Sequence, residues 1–368
     1  MKARDLPGWA RDTALRMLPH STATGLRAVG RPGPDAPVLV TGNFTLTVRR
    51  LRDALAGLDA WILVANSRGI NVWCAAGGGH MTHHDVIAAI RTSRLAERVD
   101  HREVILPQLA ATGVERRKVT DATGFKTRWG PASLDDLPAF LARGQRVAKA
   151  ERFVRFPLWE RMEMASIWYW PMAALVAVLF GLIWGARALA AAEAGLTVAV
   201  FGLFSLLPWL PVTTWRRWLV LSGAAVVGTG IGLGLLALLG DATTTHLIAV
   251  TGACVVSMAI LSIDLAGTTP WNSSTLHMPA QIELIEDRCT GAADCVQVCP
   301  RDVLQMNGKR RLVEIRRPEQ CIQCGACIVQ CPEDALRFRY ADGRVVEAAT
   351  IRKTRVNLLG KRSVQVRE

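Results

Sequence analysis

The middle third of this 368-residue chain has very few charged groups. Residues 161–280 contain four Lys or Arg and four Asp or Glu, whereas residues 1–160 contain 24 and 15 and residues 281–368 contain 16 and 12. With 50% hydrophobic and 20% charged residues, the chain is too apolar to be disordered and too charged to lie wholly in a membrane. The sequence therefore predicts both membrane-spanning and soluble parts.

Three further absences narrow the class of protein. Residues 1–20 lack the apolar core of roughly 7 to 15 residues that a secretory signal peptide needs, so we expect no cleaved leader. No recognition motif for nucleic acid is present, which argues against a DNA or RNA partner. Disulfides are not expected, because seven of the nine cysteines lie between Cys289 and Cys331. Such clustering is typical of metal ligands.

Four apolar runs fill the uncharged third, at 167–186, 194–210, 218–240 and 246–263. Each is close to the roughly 20 residues that a helix needs to cross a bilayer. Short polar breaks separate the runs, the first of them at Arg187 and Glu193. The sequence therefore predicts a four-helix transmembrane anchor in a lipid bilayer.

The spans also predict an orientation. An even number of spans puts both soluble parts on one side of the membrane. Arg152, Arg155 and Arg161 precede the first span, and Arg216 and Arg217 lie in the loop on the same side. Because basic loops face the cytoplasm, we expect a multi-pass protein of the cytoplasmic (inner) membrane with both soluble domains cytoplasmic.

Small residues in the spans indicate helix packing. Gly228, Gly230, Gly232 and Gly234 give two overlapping GxxxG spacings, and no strand precedes them as a dinucleotide fingerprint would require. Cys254 in the fourth run is interpreted as a small packed hydrophobic residue.

The N-terminal third alternates short apolar strands with amphipathic helices. Strands are predicted at 38–40, 61–65 and 104–106. Helices are predicted at residues 44–55, after Thr82 with its capping-box partner Asp85, and from Ser133 with Asp136. This is a doubly wound α/β pattern, whose ligands bind beyond the carboxyl ends of the strands. A site is therefore expected after Ala65.

That segment, residues 66–80, contains a candidate metal ligand. Asn71 is a good helix N-cap and would put Cys74 at the third helical position, where the helix terminus favours a thiolate. Such a soft thiolate could coordinate a metal. A buried structural cysteine is the alternative that local chemistry leaves open. The nearby His80, His83 and His84 are interpreted as solvated or capping surface groups.

Residues 71–77, Asn-Val-Trp-Cys-Ala-Ala-Gly, resemble the cap-helix signature of the corrinoid protein of microbial mercury methylation. That family is related to the corrinoid subunit of CO dehydrogenase/acetyl-CoA synthase. Residues 37–43, 58–61, 68–70 and 101–109 agree in order and spacing, so the similarity runs from about residue 37 to 141. The family also carries a membrane anchor.

The resemblance implies a Rossmann-like domain that binds cobalamin without its usual base, with Cys74 as the catalytic residue and the lower axial ligand to cobalt. Such a thiolate would make a cobalt-bound methyl group more carbanion-like, as an acceptor such as Hg(II) requires. The cofactor-binding residues implied are Thr41, Gly42, Asn71, Val72, Trp73, Cys74, Ala75, Ala76 and Gly77.

The C-terminal third carries a bacterial ferredoxin pattern of its own. Cys321-x2-Cys324-x2-Cys327-x3-Cys331-Pro332 is complete, and in this pattern the fourth cysteine binds the other cluster. The earlier run, Cys289-x5-Cys295-x3-Cys299-Pro300, has Ala292 in place of its second cysteine. Crossing the ligands predicts one [4Fe-4S] cluster on Cys299, Cys321, Cys324 and Cys327. The remaining Cys289, Cys295 and Cys331 would hold a [3Fe-4S] cluster or an incompletely cysteine-ligated [4Fe-4S] cluster.

By resemblance, the chain is a fusion of the corrinoid protein with its dicluster ferredoxin partner. The implied activity is a corrinoid-dependent methyltransferase whose ferredoxin reduces Co(II) to Co(I). The implied partners are an electron donor and a methyl donor, either a protein or of the methyl-tetrahydrofolate type. This chain departs from the family at Gly78, where the family has Lys, at Ala292, and in having no cysteine after Cys331.

The predicted organisation is an N-terminal extension (1–30), a corrinoid-binding α/β domain (31–150), a linker (151–166), the transmembrane helices (167–263), a second linker (264–282), an α+β dicluster ferredoxin domain (283–345) and a basic tail (346–368). We expect the tail to be solvated or to face lipid. The alternative function is a membrane-bound iron-sulfur electron-transfer protein with a non-catalytic corrinoid-like domain.

Overall fold

The computed structural model describes residues 11, 14, 16, 18–212, 215–265, 280–356 and 362–366. The chain divides into two compact units. One comprises Met1–Met17 with Arg155–Leu276, and the other comprises Leu18–Val154 with His277–Glu368. The second unit therefore joins the two regions of sequence that flank the long apolar helices.

A five-stranded sheet organises the N-terminal part of the second unit. Its strands, β1 to β5 in chain order, are Gly25–Val29, Val38–Gly42, Ala60–Ala65, Glu103–Leu106 and Lys126–Trp129. Their order in the sheet is β1-β3-β2-β4-β5, with β1 antiparallel to β3 and the remaining pairs parallel. The strands predicted at 38–40, 61–65 and 104–106 are confirmed as β2, β3 and β4.

Helices lie between and after these strands, and those predicted at 44–55 and after Thr82 are confirmed. They are Thr45–Ala54, Val72–Gly78, His83–Thr92, Arg116–Thr123 and Leu137–Ala142. Single 3₁₀ turns occur at Leu95–Glu97, Gln108–Thr112, Leu134–Asp136 and Lys149–Arg152. The capping box is present, because the Thr82 amide donates to the Asp85 carboxylate at 2.8 Å. A structured α/β region is confirmed.

The strand order defines where a ligand would bind. From β2 the chain crosses to β3 on one side and then returns to β4 on the other side. The strand order reverses between β2 and β4, and such a switch point opens a crevice at the carboxyl ends of the strands. The Val72–Gly78 helix, which we name the Cys74 helix, follows the carboxyl end of β3 at this edge.

The C-terminal part of the same unit contains small antiparallel sheets around two cysteine loops. The sheet of three strands consists of β6 (Ala280–Leu284), β9 (Leu336–Tyr340) and β10 (Val345–Val346). A separate pair consists of β7 (Leu304–Asn307) and β8 (Leu312–Ile315). Short helices lie at Asp294–Val298 and Ala326–Val329. Single 3₁₀ turns at Glu286–Arg288 and Pro318–Gln320 precede the two loops.

The tail is folded, which corrects the expectation of a solvated or lipid-facing strand. It forms the helix Ala348–Lys353 and a pair of antiparallel strands, β11 (Thr354–Val356) and β12 (Arg362–Gln365). Arg355 is only 1% exposed, and Arg352 donates to the Cys331 carbonyl at 2.8 Å. Arg352 also pairs with Asp334, and Arg355 Nη1 donates to backbone carbonyls of the same segment. Lys361 and Arg367 lie outside the described residues.

The other unit contains four helices that are long and apolar enough to cross a membrane. They are Leu158–Ile183, Gly185–Leu206, Arg216–Leu238 and Thr244–Asp264, and the 3₁₀ turn Leu207–Trp209 extends the second. The predicted break at Arg187 and Glu193 is wrong, because both residues lie within the second helix. The chain turns instead at Gly185, whose φ of +81° suits glycine. Tyr169 Oη donates to Glu193 at 3.0 Å.

Glycines on one face of the third helix bring its backbone close to its neighbours. A Cβ on Gly228 would lie 2.7 Å from the Gly195 carbonyl oxygen, and a Cβ on Gly232 would lie 2.6 Å from Val250 Cγ1. Nothing lies within 4 Å of such a Cβ at Gly230 or Gly234. One of the two GxxxG spacings therefore makes the contact, as expected for close helix packing.

Cys254 packs against this glycine face. It is buried, and its Sγ lies 3.2 Å from the Cβ position of Gly195 and 3.4 Å from that of Gly228. The interpretation of Cys254 as a small packed residue is confirmed.

Gly228→Leu is predicted to lower the melting temperature of the detergent-solubilised chain by several degrees, because the new side chain must displace the facing backbone at a cost of about 1–3 kcal/mol. Gly230→Leu is the matched control and should melt close to the wild type. Equal melting of the two variants would contradict this packing.

Candidate functional site

The Cys74 helix holds one exposed sulfur at the carboxyl edge of the sheet. Asn71 is its N-cap, and the Asn71 Oδ1 accepts a hydrogen bond from the Cys74 amide at 2.9 Å. Cys74 is the third residue of the helix and is exposed. The helix ends at Gly79, which has a φ of +80°. These features agree with the sequence prediction, and they leave the Cys74 side chain accessible to a ligand.

The loop that precedes this helix is fixed by a residue that follows β2. The Asn43 Oδ1 accepts hydrogen bonds from the Ser67 amide at 2.8 Å, the Ser67 hydroxyl at 3.1 Å and the Gly69 amide at 3.1 Å. A Cβ on Gly42 would lie 2.5 Å from Ser67 Oγ, so only glycine fits there. Sequence reasoning did not assign this role to Asn43; its position directly after a buried strand was the available signal.

The other end of the Cys74 helix rests on the segment after β4. A Cβ on Gly113 would lie 2.6 Å from the Ala76 carbonyl oxygen and 2.5 Å from that of Met81. The backbones therefore touch, and glycine is required for this contact. The segment Ala110–Val114, which contains Gly113 and which we name the joint, thus supports the helix that carries Cys74.

The predicted cofactor-binding residues divide into two groups. Asn71 and Cys74 are exposed, and Trp73 and Gly77 are half-buried, so these four line the accessible edge. The other five are buried supports: Thr41, Gly42, Val72, Ala75 and Ala76.

The interpretation of all three histidines as surface groups is wrong for His83. His83 is 6% exposed and stacks on His84 with ring centroids 4.2 Å apart. Burial lowers the pKa of His83 from 6.5 to about 3, and the charges of His84, Lys118 and Arg355 act in the same direction. His83 is therefore neutral at pH 7, and its 3.6 Å approach to Glu115 is not an ion pair.

The two cysteine loops have matching backbones. Positive φ angles occur at Gly291 and Ala293 in the first loop and at the equivalent Gln323 and Gly325 in the second. The Sγ atoms of Cys299 and Cys331 each accept a backbone hydrogen bond from four residues ahead, at 3.3 and 3.2 Å. The first loop thus keeps the same shape although Ala292 replaces its second cysteine.

The cysteine thiols lie in two neighbourhoods, each made of buried and partly buried residues. Burial raises the pKa of Cys295 to about 12, and repulsion from Cys331 and Cys289 adds to the rise. Burial likewise raises the pKa of Cys321 to about 12 and that of Cys324 to about 11, and both thiols are repelled by Cys299. Thiols in this state are suited to cationic iron, which would stabilise their thiolate forms.

Among the described residues, no three His, Cys, Asp or Glu side chains converge closely enough to bind one isolated metal ion.

A small cavity of about 20 Å³ lies beside the first loop. Its lining includes Cys289, Cys295 and Cys331, together with Ala292 and Asp294. The Asp294 carboxylate accepts a hydrogen bond from Arg116 Nη1 at 2.6 Å. The cavity is therefore lined by three cysteines and by Ala292, which stands where a complete ferredoxin loop would have a fourth cysteine.

The joint also contacts the iron-sulfur region. Gln330 is 4% exposed, and its Nε2 donates to the carbonyls of Ala111 and Val114, both at 2.8 Å. Val298 and Ala326, from the two short cysteine-loop helices, are part of the α/β core, and Cys324 packs against it. The joint therefore contacts both the Cys74 helix and the residues of the cysteine loops.

His83 is predicted to make folding pH-dependent. Its folded-state pKa of about 3 lies below the unfolded value of 6.5, so the unfolded chain binds more protons between these pH values. This contribution to stability is present above pH 6.5 and falls as the pH drops, by an amount on the order of 2 kcal/mol by about pH 5.

Melting temperatures measured between pH 7 and 5 should therefore depend less on pH in His83→Gln than in the wild type. His84→Gln, at the exposed neighbour, is the control. An unchanged pH dependence in His83→Gln would refute the buried neutral state.

Comparison with known proteins assigns both halves of this unit. Residues 16–141 match the family model of the CO dehydrogenase/acetyl-CoA synthase delta subunit, and residues 288–336 match a 4Fe-4S dicluster domain. The chain is 35% identical over 127 residues to the acetyl-CoA decarbonylase/synthase complex subunit gamma of Archaeoglobus fulgidus and to that of Methanopyrus kandleri. Each match covers 34% of this chain and 27% of the relative.

The corresponding subunit of Methanocaldococcus jannaschii is 30% identical over 125 residues, 33% of this chain and 25% of the relative. The chain therefore spans about a quarter of the length of these relatives. Residues 16–141 are thus similar to the delta-subunit family of CO dehydrogenase/acetyl-CoA synthase, and residues 288–336 are similar to 4Fe-4S dicluster domains.

Proposed function

We propose that this chain is a membrane-anchored corrinoid methyltransferase with a built-in ferredoxin, which transfers a methyl group to Hg(II) or a related acceptor. The observation that carries the proposal is the exposed Cys74, held on a capped helix at the carboxyl edge of the sheet. The joint that supports this helix also contacts the dicluster domain.

Cobalamin fits the residues at this edge. A thiolate is a soft ligand suited to a transition metal, and Cys74 is exposed although cysteine is usually buried. When bound, a corrinoid would supply a cobalt centre that accepts and donates methyl groups. Cys74 would hold the cobalt through its sulfur.

The surrounding residues hold that sulfur in place. Asn71 fixes the first turn of the helix, Asn43 fixes the loop before it, and Gly113 supports its last turn. Rigid positioning of a metal ligand in this way is what a coordination site requires. The four accessible residues Asn71, Trp73, Cys74 and Gly77 would contact the cofactor, and the five buried ones would support it.

In the dicluster domain, we assign Cys299, Cys321, Cys324 and Cys327 to one [4Fe-4S] cluster. Cys299 and Cys327 are buried, Cys321 and Cys324 are partly buried, and Cys299 repels the thiolate forms of the other three, which supports this grouping. The cavity lined by Cys289, Cys295 and Cys331 would hold a [3Fe-4S] cluster or an incompletely ligated [4Fe-4S] cluster. Fixed contact with the α/β domain would make electron delivery intramolecular.

The four apolar helices would anchor this chemistry in a lipid bilayer. Because Leu18–Val154 and His277–Glu368 form one compact unit, both must lie on the same side of any membrane that the intervening helices span. The basic residues around the first span favour the cytoplasmic side. An electron donor and a methyl donor, either a protein or of the methyl-tetrahydrofolate type, are the proposed partners.

The first test is cofactor binding by the full chain, purified in detergent with cobalamin. The wild type should show a corrinoid absorption spectrum, and Cys74→Ala should change that spectrum and abolish methylmercury formation, since the cobalt would lose its sulfur ligand. Cys254→Ala is the matched control for loss of a cysteine and should behave like the wild type.

A wild-type chain that shows iron-sulfur absorption alone would overturn the methyltransferase proposal. It would favour the electron-transfer protein, in which Cys74 is only structural. A corrinoid spectrum without methylmercury formation would keep corrinoid chemistry and exclude Hg(II) as the acceptor.

The second test concerns Ala292. Electron paramagnetic resonance of the oxidised wild type should show a [3Fe-4S] signal, and Ala292→Cys should remove that signal by completing a cubane. Thr290→Cys adds a thiol to the same loop at the wrong spacing and should leave the signal. A silent oxidised wild type would instead indicate a [4Fe-4S] cluster with a non-cysteine ligand.

A further inference from the structure

Arg362, on the last strand of the chain, reaches into a cysteine loop. Its Nη2 donates to the Cys324 carbonyl at 3.2 Å, and its Nη1 donates to the Thr354 carbonyl at 2.8 Å. A Cβ on Gly325 would lie 2.8 Å from Arg362 Nη2. Because Gly325 has no side chain, the Arg362 guanidinium can lie against the backbone next to Cys324.

This guanidinium has no carboxylate partner among the residues that the structure describes. Neighbouring arginines do have one: Arg337 and Arg339 both pair with Glu283, and Arg352 pairs with Asp334. Arg362 contacts backbone carbonyls instead. Arg362 is half-buried, and its charge has no acidic partner within the described part of the chain, although a cation partly withdrawn from water is stabilised by a counter-charge.

A second cation nearby, Arg355, makes a negative counter-charge still more favourable. Arg355 is buried on the paired strand, and its Nη1 donates to the same Thr354 carbonyl at 2.9 Å. Repulsion from Arg362 lowers the pKa of Arg355, in addition to the larger effect of burial. The thiolate forms of Cys324 and Cys327 would favour the charged form of Arg362.

We propose that Arg362 is the counter-cation of the cluster bound by Cys299, Cys321, Cys324 and Cys327, and that it sets the reduction potential of this cluster relative to the other one. The proposal rests on the cluster assignment made above. A tetrathiolate cluster is anionic and gains a further negative charge on reduction. A cation beside Cys324 stabilises the reduced form more than the oxidised form and so raises the potential.

Arg362 is a positioning residue in this proposal, because it acts through the cluster rather than on a substrate. The proposal also gives the folded tail a role. The β11–β12 pair puts Arg362 against the Cys324 loop, and on the adjacent strand Arg355 Nη2 lies 3.5 Å from the Gly113 carbonyl in the joint.

The test is a redox titration of the full chain in detergent, followed by electron paramagnetic resonance. In R362Q and R362M, the ratio of reduced to oxidised cubane at the wild-type midpoint should fall about tenfold, which corresponds to about 59 mV for a one-electron couple. R362K keeps the charge and should stay close to the wild type. The cluster on Cys289, Cys295 and Cys331 should shift much less.

R344Q is the matched control, since Arg344 is an exposed arginine paired with Asp342 at 2.8 Å in the same domain. An unchanged cubane potential in R362Q and R362M, or equal shifts of both clusters, would overturn the proposal. Loss of the cubane in both neutral variants but not in R362K would support it, and loss in all three would overturn it. A wild type without any cubane signal would refute the cluster assignment itself.

Discussion

The unit formed by Leu18–Val154 and His277–Glu368 depends on one close backbone approach, that of Gly113 to Ala76. It is possible only because Gly113 has no side chain, and it seats the Cys74 helix directly on the joint. Gln330 and Arg355 bond to carbonyls of the same segment from the iron-sulfur side. A larger residue at 113 would separate the helix from its support and disturb the neighbouring contacts, because close-packed interiors transmit such displacements.

The two cysteine loops share one backbone shape although Ala292 stands in the first loop where the second has Cys324. The positive φ angles of the first loop match those of the second, and the sulfur-accepting hydrogen bonds recur at Cys299 and Cys331. Backbone conformation in these loops is set by their local sequence and packing rather than by one thiol. An alanine at position 292 therefore removes one sulfur from the first loop and leaves the shape of the loop unchanged.

Periodicity was sufficient to predict the strands β2, β3 and β4 and the helix at Thr45–Ala54, because their buried residues recur at the spacing of each element. It also indicated four long apolar helices, but not their ends. Glu193 suggested a break, and only the structure shows its carboxylate bonded by Tyr169 within a continuous helix. A charged residue in an apolar run therefore does not by itself predict the end of a helix, because a hydrogen-bond partner can hold it within the helix.

The sequence by itself determined the chemistry available to this protein: the cysteine spacing, the gap at Ala292, and a capped cysteine after a buried strand. These depend on residues that are close in the chain, so local rules reach them. Only the tertiary structure decided that His83 is buried, that the basic tail is folded, and that Arg362 lies beside Cys324. Those outcomes depend on contacts between segments far apart in sequence, where charge and hydropathy alone favour a solvated surface.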